Sequence, residues 1–338
     1  MASPTWAPRA NETSLAYFVF LGFPNRWAMK ILLLSLLFAV YVLTLVGNSL
    51  IVLITLADPA LHTPMYFFIR NLSLLEICYT SVTQPKMLAT LLLEDKSISF
   101  AGCAAQMYFL LFFGTVECFL LASMSYDRYL AICHPLHYTA KMTKGVCIRL
   151  TLISLLCGSL IPLGNTAWIF SLPFCGPNEI DHFFCDFPPV LKLACINTSP
   201  NEVAILASSV LITVLPFVFT AGSYACILCT ILKIPLAGGR RKAFSTCSTH
   251  LIVVTLFYCS ASCMYLQPKS SHSWEWDKFL SLFYTVITPL LNPVIYSFRN
   301  KEVKGALRRT LRKTTPVELA GPFILLRSNT RNPHACVL

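Results

Sequence analysis

Seven stretches of 20 to 30 mostly apolar residues follow one another along this chain: Ile31–Ala57, Met65–Leu93, Phe100–Tyr126, Val146–Trp168, Val203–Leu232, Ala243–Leu266 and Phe279–Phe298. A helix crossing about 30 Å of hydrocarbon needs roughly 20 such residues. The whole chain of 338 residues is 56% hydrophobic and only 12% charged, with a mean hydropathy of +0.65. A soluble domain usually carries about 25% charged residues, so the bilayer is the solvent this composition suits. The expected fold is an all-α membrane protein, a seven-transmembrane helix bundle over residues 31–298. Residues 1–30 form an extracellular N-terminal segment and 299–338 a cytoplasmic amphipathic helix and tail. The second stretch is the least apolar, because it holds Arg70, Glu76 and Lys86; Pro64 suits its first turn, where a missing N–H costs nothing.

Basic residues set the direction. A net charge of +11 could suit nucleic acid, but Lys and Arg gather in the connections between apolar runs, and no nucleic-acid partner is expected. Seventeen of the 26 lie in the connections three-to-four and five-to-six or after span seven; eight lie on the other side. The positive-inside rule then places the N-terminus outside and the tail in the cytoplasm, as in a multi-pass protein of the plasma membrane surrounded by membrane lipids. No removable signal peptide is expected, since the first thirty residues lack a basic segment followed by an apolar one and a small-residue cleavage site. Asn11-Glu12-Thr13 is a glycosylation acceptor on the outer side.

Polar residues inside a membrane are costly and mark function. Glu76 and Glu117 fall near the middle of spans two and three, with no Lys or Arg close by on their own helices. Two carboxylates in a low dielectric cannot cheaply both ionise, so they should share a proton or a cation; Asn48 and Asn292 could add amide oxygens. Pro293 frees a backbone carbonyl, which allows a kink or hinge. At the inner end of span three stand Asp127 and Arg128. A charge near hydrocarbon must be paired or face water, so a change of partner can bias two helix packings.

On span three, Met107, Leu110, Leu111, Gly114, Thr115 and Cys118 recur at helical spacing along one face. Leu110 precedes Arg128 by 18 residues, about 27 Å at 1.5 Å per residue, and so lies toward the outer side. Further candidate walls of a ligand cavity are Ser208 and Ile212 on span five, Tyr258, Ser262 and Tyr265 on span six, and Leu282 and Thr285 on span seven. No Asp or Glu occupies the outer face of span three, so an ammonium ligand would lack a counter-ion and a neutral apolar ligand is expected.

Of fifteen cysteines, Cys103, Cys175, Cys185 and Cys195 lie at or between run ends on the oxidising side, where four cysteines allow three connectivities. His182, Cys185 and Asp186 offer metal-ligand types at short spacing, but a disulfide would consume the thiolate, and no metal site is expected. No metal cluster, P-loop or nucleophile elbow points to an enzyme. A transporter would be expected to show paired discontinuous helices and a repeated half, and neither is evident.

"LVGNSLI" (45–51), "PMYFFIRNLSLLEICYTS" (64–81), "SYDRYLAICHPLHY" (125–138), "KAFSTCSTHL" (242–251) and "PLLNPVIYSFRN" (289–300) together resemble the odorant receptors, a branch of the rhodopsin-like G-protein-coupled receptors. The resemblance runs from Phe18 to about Leu311. Its departures are Glu76 where Asp is commoner, Ser125 and Leu130 for Ala and Val, and Cys259 where glycine is frequent. The resemblance implies an odorant as ligand and a heterotrimeric, stimulatory G protein of the olfactory type as partner, with Arg240, Arg241 and Lys242 as contacts. It implies that Asp127 holds Arg128 at rest, and that Tyr224 and Tyr296 turn inward when the inner face opens. It suggests a sodium ion among Glu76, Glu117, Asn48 and Asn292, and the disulfides Cys103–Cys185 and Cys175–Cys195. The alternative is a rhodopsin-like receptor for another small ligand outside the olfactory system.

Overall fold

The structure, a computed structural model, describes residues 16–23, 26–175, 177–235, 237–265, 274–299 and 301–314. Asn11 and the chain from 315 onward lie outside the described residues. Eight helices carry the fold. They are α1 (Trp27–Ala57), α2 (Pro64–Leu92), α3 (Phe100–Cys133), α4 (Lys144–Phe170), α5 (Ser199–Ser209 continuing through Leu215–Leu232), α6 (Ala237–Tyr265), α7 (Trp274–Leu282 continuing through Thr288–Arg299) and α8 (Lys301–Thr314). Among the described residues six helices are long and apolar enough to cross a membrane, and α2 packs between α1 and α3 as a seventh. We call outer and inner the faces assigned by the distribution of basic residues.

The helices outrun the apolar stretches. α3 continues to Cys133, so Asp127 and Arg128 stand inside a helix and not at its end. The apolar run stops where hydrocarbon stops, but the backbone hydrogen bonds of a helix do not need apolar side chains to continue. Local signals set the starts: the Ser99 hydroxyl accepts from Gly102 N at 3.1 Å to begin α3, and Thr143 accepts from Val146 N to begin α4.

Proline explains the two irregular turns. α5 widens to a π-helical turn at Val210–Val214, and α7 at Phe283–Ile287. Proline has no N–H and its ring clashes with the carbonyl four residues back. Those carbonyls belong to Ile212 for Pro216 and Thr285 for Pro289, and each lies within the wide turn. Pro293 likewise frees the carbonyl of Pro289, which Asn48 Nδ2 on α1 approaches at 3.5 Å. The helices approach closely here because position 47 is glycine: a Cβ would lie 3.2 Å from the Pro293 ring.

A small sheet lies on the outer face. Strand β1 (Tyr17–Phe20) pairs antiparallel with β2 (Ser97–Ser99) and parallel with β3 (Glu179–Ile180). Its alternation buries Phe18 and Phe20 completely in one apolar cluster, with the Phe18 ring against Phe100 and Phe174. Cys103 at the head of α3 is joined to Cys185, and Cys175 to Cys195, each pair with Cα atoms 5.5 Å apart. The first bond anchors the long outer loop, whose helical turn Phe187–Leu191 packs into the same apolar cluster.

His182 of this loop is buried, its Nδ1 3.2 Å from the Phe184 carbonyl oxygen. Burial pushes the imidazole down to about 4; Lys278 and Lys192 act in the same direction, and the Phe184 carbonyl and Asp181 oppose them. The unfolded chain, with an ordinary value near 6.5, therefore takes up a proton that the folded loop refuses. Stability is complete above pH 6.5 and is lost as pH falls toward 4. Melting in detergent should show this decline between pH 7.5 and 4, and His182→Phe should flatten it. An unchanged slope in His182→Phe would assign the decline to other groups.

Candidate functional site

A cavity lies in the outer half of the bundle. α3 contributes Leu110, Leu111, Gly114, Thr115 and Cys118; α5 contributes Ser208, Ser209, Ile212 and Thr213. α4 adds Pro162 and Asn165, the outer loop Phe187, α6 Ala261 and α7 Tyr284. Among the described residues none that lines the cavity is charged. Both π-helical turns supply walls, Ile212 and Thr213 from one and Tyr284 from the other. A wide turn rotates the side chains after it, and proteins use such turns at functional sites.

Seven of the sequence candidates meet on this wall: Leu110, Leu111, Gly114, Thr115, Cys118, Ser208 and Ile212. Others stand elsewhere. Met107 is one turn too near the outer end and packs with the Cys103–Cys185 pair and Phe187. Tyr258 lies off the wall, its ring in the core and its hydroxyl donating to the Cys118 carbonyl at 2.8 Å, because a buried phenol must find an acceptor. Thr285 spends its hydroxyl on Ser281 O at 2.7 Å within its own helix. Leu282 packs against the core, and the half-buried Ser262 does not reach the wall. Tyr265 ends α6, and its side chain lies outside the described residues.

Sequence reasoning missed Pro162, Asn165, Phe187, Ser209, Thr213, Ala261 and Tyr284. Asn165 carried a usable signal, being an amide within an apolar span. Tyr284 did not: it fits because Gly114 has no side chain, and a Cβ there would lie 2.7 Å from the phenolic oxygen.

Beneath the cavity lies a polar centre. Asn292 Nδ2 donates to Glu76 Oε1, and reaches Glu117 Oε1 at 3.4 Å. Both carboxyls are buried. Asn48 Oδ1, Glu76 Oε2 and Asn292 Oδ1 are buried with no hydrogen-bond partner. Three unsatisfied hard oxygens from α1, α2 and α7 beside a second carboxyl suit a small hard cation. The Tyr296 hydroxyl is also buried and unpartnered; among the described residues no group of three His, Cys, Asp or Glu forms a metal cluster.

At the inner end, Arg128 Nη2 and Nε donate to Asp127 Oδ2 at 2.6 and 3.1 Å. The Tyr138 hydroxyl, in the short helix Tyr138–Lys141, donates to Asp127 Oδ1 at 2.8 Å. Burial and the neighbouring Asp127 charge push the Tyr138 phenol up from its ordinary value, so it stays a donor. Asp127 is fully buried and Arg128 is partly buried, 14% exposed. Tyr224 on α5 lies 2.6 Å from His250 Nδ1 on α6, with the two rings stacked. Of the expected inner contacts, Arg240 and Arg241 are exposed in the first turn of α6, and the side chain of Lys242 lies outside the described residues.

Comparison with known proteins gives one answer. Residues 37–314 match the family described as olfactory receptor. The human protein named olfactory receptor 10A7 is 54% identical over 301 residues, covering 89% of this chain and 95% of the relative. Human olfactory receptor 10C1 is 52% identical over 310 residues, covering 92% and 99%. Squid rhodopsin shares the fold, with a TM-score of 0.69 at 20% identity over 84% of this chain and 80% of that one.

Proposed function

Because this chain belongs to the olfactory receptor family and has the seven-helix rhodopsin fold, we propose that it binds small, mostly neutral apolar volatiles in its outer cavity and so activates a stimulatory, olfactory-type G protein, raising cAMP at the plasma membrane. The observation that carries the reading is the cavity itself. Its described walls are apolar with a few hydroxyls and one amide, and none of these described residues is charged. Burial of ligand methylenes there supplies most of the affinity, at about 0.8 kcal/mol each, while the polar atoms fix orientation.

Binding must alter the inner face to signal. A ligand shifts an equilibrium only by its differential affinity for the two states. The cavity touches α3, α5, α6 and α7, and three of these helices carry the inner contacts Asp127–Arg128 and Tyr224–His250. A ligand that prefers a different spacing of the outer ends therefore biases how these pairs are held. In cells displaying the full chain, a panel of neutral volatiles should raise cAMP, with Arg128→Ala as the blank. Accumulation of labelled compound without cAMP would instead mark a transporter.

Sodium belongs to the same reading. Glu76, Glu117, Asn48 and Asn292 would hold the ion, which would neutralise the carboxyls and tie α1, α2, α3 and α7 together. Replacing choline by sodium should then raise Tm in detergent, and Glu117→Gln should abolish the rise. If Glu117→Gln keeps the sodium response, the pair is a neutral, hydrogen-bonded link between helices.

A further inference from the structure

The cavity wall is apolar except at a few points, and one of these is joined across two helices. Asn165 Nδ2 on α4 donates to Ser208 Oγ on α5 at 2.9 Å, and Ser208 Oγ donates to Ile205 O at 2.9 Å. The second bond decides the first. A hydroxyl has one proton, and Ser208 has spent it on Ile205, so toward Asn165 it can only accept. The amide must therefore present its NH₂ to Ser208. Among the described residues its Oδ1 and its second N–H meet no partner, and both Asn165 and Ser208 line the cavity.

Resting on the receptor reading above, we propose that Asn165 is the head-group subsite of this cavity and that the preferred ligands are neutral molecules bearing a hydroxyl. A hydroxyl can donate to Asn165 Oδ1 and accept from the spare N–H. An ether, ester or ketone only accepts, and would bury Oδ1 without water and without a donor, which is costly. A hydrocarbon satisfies neither atom. Ammonium and carboxylate ligands are disfavoured because no described lining residue offers a counter-charge. The carbon skeleton would lie along Leu110, Leu111 and Ile212. An amide that only linked α4 to α5 would need one of its hydrogen-bonding atoms; this one keeps two in reserve on the cavity wall.

The test uses the full chain in cells, with matched sets of alcohol, methyl ether and alkane on many skeletons, and surface display measured for each variant. Wild type should answer mainly to alcohols, with the matched ether at least about tenfold weaker. Asn165→Leu should raise the alcohol EC50 about tenfold, remove the preference over the ether, and melt within a few degrees of wild type. Agonists that mostly lack a hydroxyl would overturn the subsite, as would an Asn165→Leu variant that weakens all three compounds alike, the behaviour of a helix link. A displayed wild type silent to every volatile overturns the receptor reading itself, and the subsite with it.

Discussion

Replacing Arg128 with alanine should leave the protein at the cell surface and reduce agonist-stimulated cAMP to background. The guanidinium is held by two bonds to Asp127, whose other oxygen is held by Tyr138. Neighbours in sequence on a helix do not face each other, so the Arg128 side chain is folded back from the direction in which a partner protein would meet it. On the proposed function, release of that pair, and not its presence, would be what the inner face offers a G protein. Alanine removes the group to be released. It also leaves Asp127 buried beside Tyr138 with no cation, although Arg128, 14% exposed, makes the loss smaller than for a fully buried pair. The double variant Asp127→Asn/Arg128→Ala removes the stranded carboxylate and separates loss of signalling from loss of folding. A surface-displayed Arg128→Ala receptor that signals at full strength would refute the latch.

The second large effect is expected at the outer face. Cys103→Ser opens a loop of 82 residues, for which the chain-entropy account gives about 4–5 kcal/mol. Cys103 and Cys185 are both fully buried, and Phe187, two residues further on, is part of the cavity wall. Losing this bond therefore loosens the loop and one side of the site together. Cys175→Ser opens only 20 residues between exposed positions, worth about 3 kcal/mol. We expect Cys103→Ser to lower Tm by about 10 °C, with most of the protein retained inside the cell, and Cys175→Ser to do clearly less. Equal losses would mean that closure entropy and burial do not rank the two bonds.

Much of this was legible in the chain because a bilayer is a severe solvent. Backbone polar groups in hydrocarbon must be satisfied within the segment, so an apolar run of about 20 residues can only be a helix. The face of α3 read from residue spacing is the face that lines the cavity, except at Met107, because a helix turns at a constant rate. Prolines 216 and 289 were visible too, although their consequence, the two wide turns, was not. The strand Tyr17–Phe20 went unread because four residues carry too little pattern until their partners, Ser97–Ser99 and Glu179–Ile180, are beside them.

The amino-acid sequence by itself determined the number of spans, their expected direction, the polar residues placed where lipid forbids them and the family to which the chain belongs. Hydrophobicity, charge and helical repeat are properties of neighbours along the chain, and neighbours are what a sequence records. Only the tertiary structure decided which helices share the cavity, that Tyr284 rests on Gly114, that Tyr138 reaches Asp127, and that Asn165 faces Ser208. Except for Tyr138 and Asp127, which meet across the turn after α3, these are contacts between residues far apart in the chain, set by how helices rotate and tilt against one another, and no local pattern encodes that rotation.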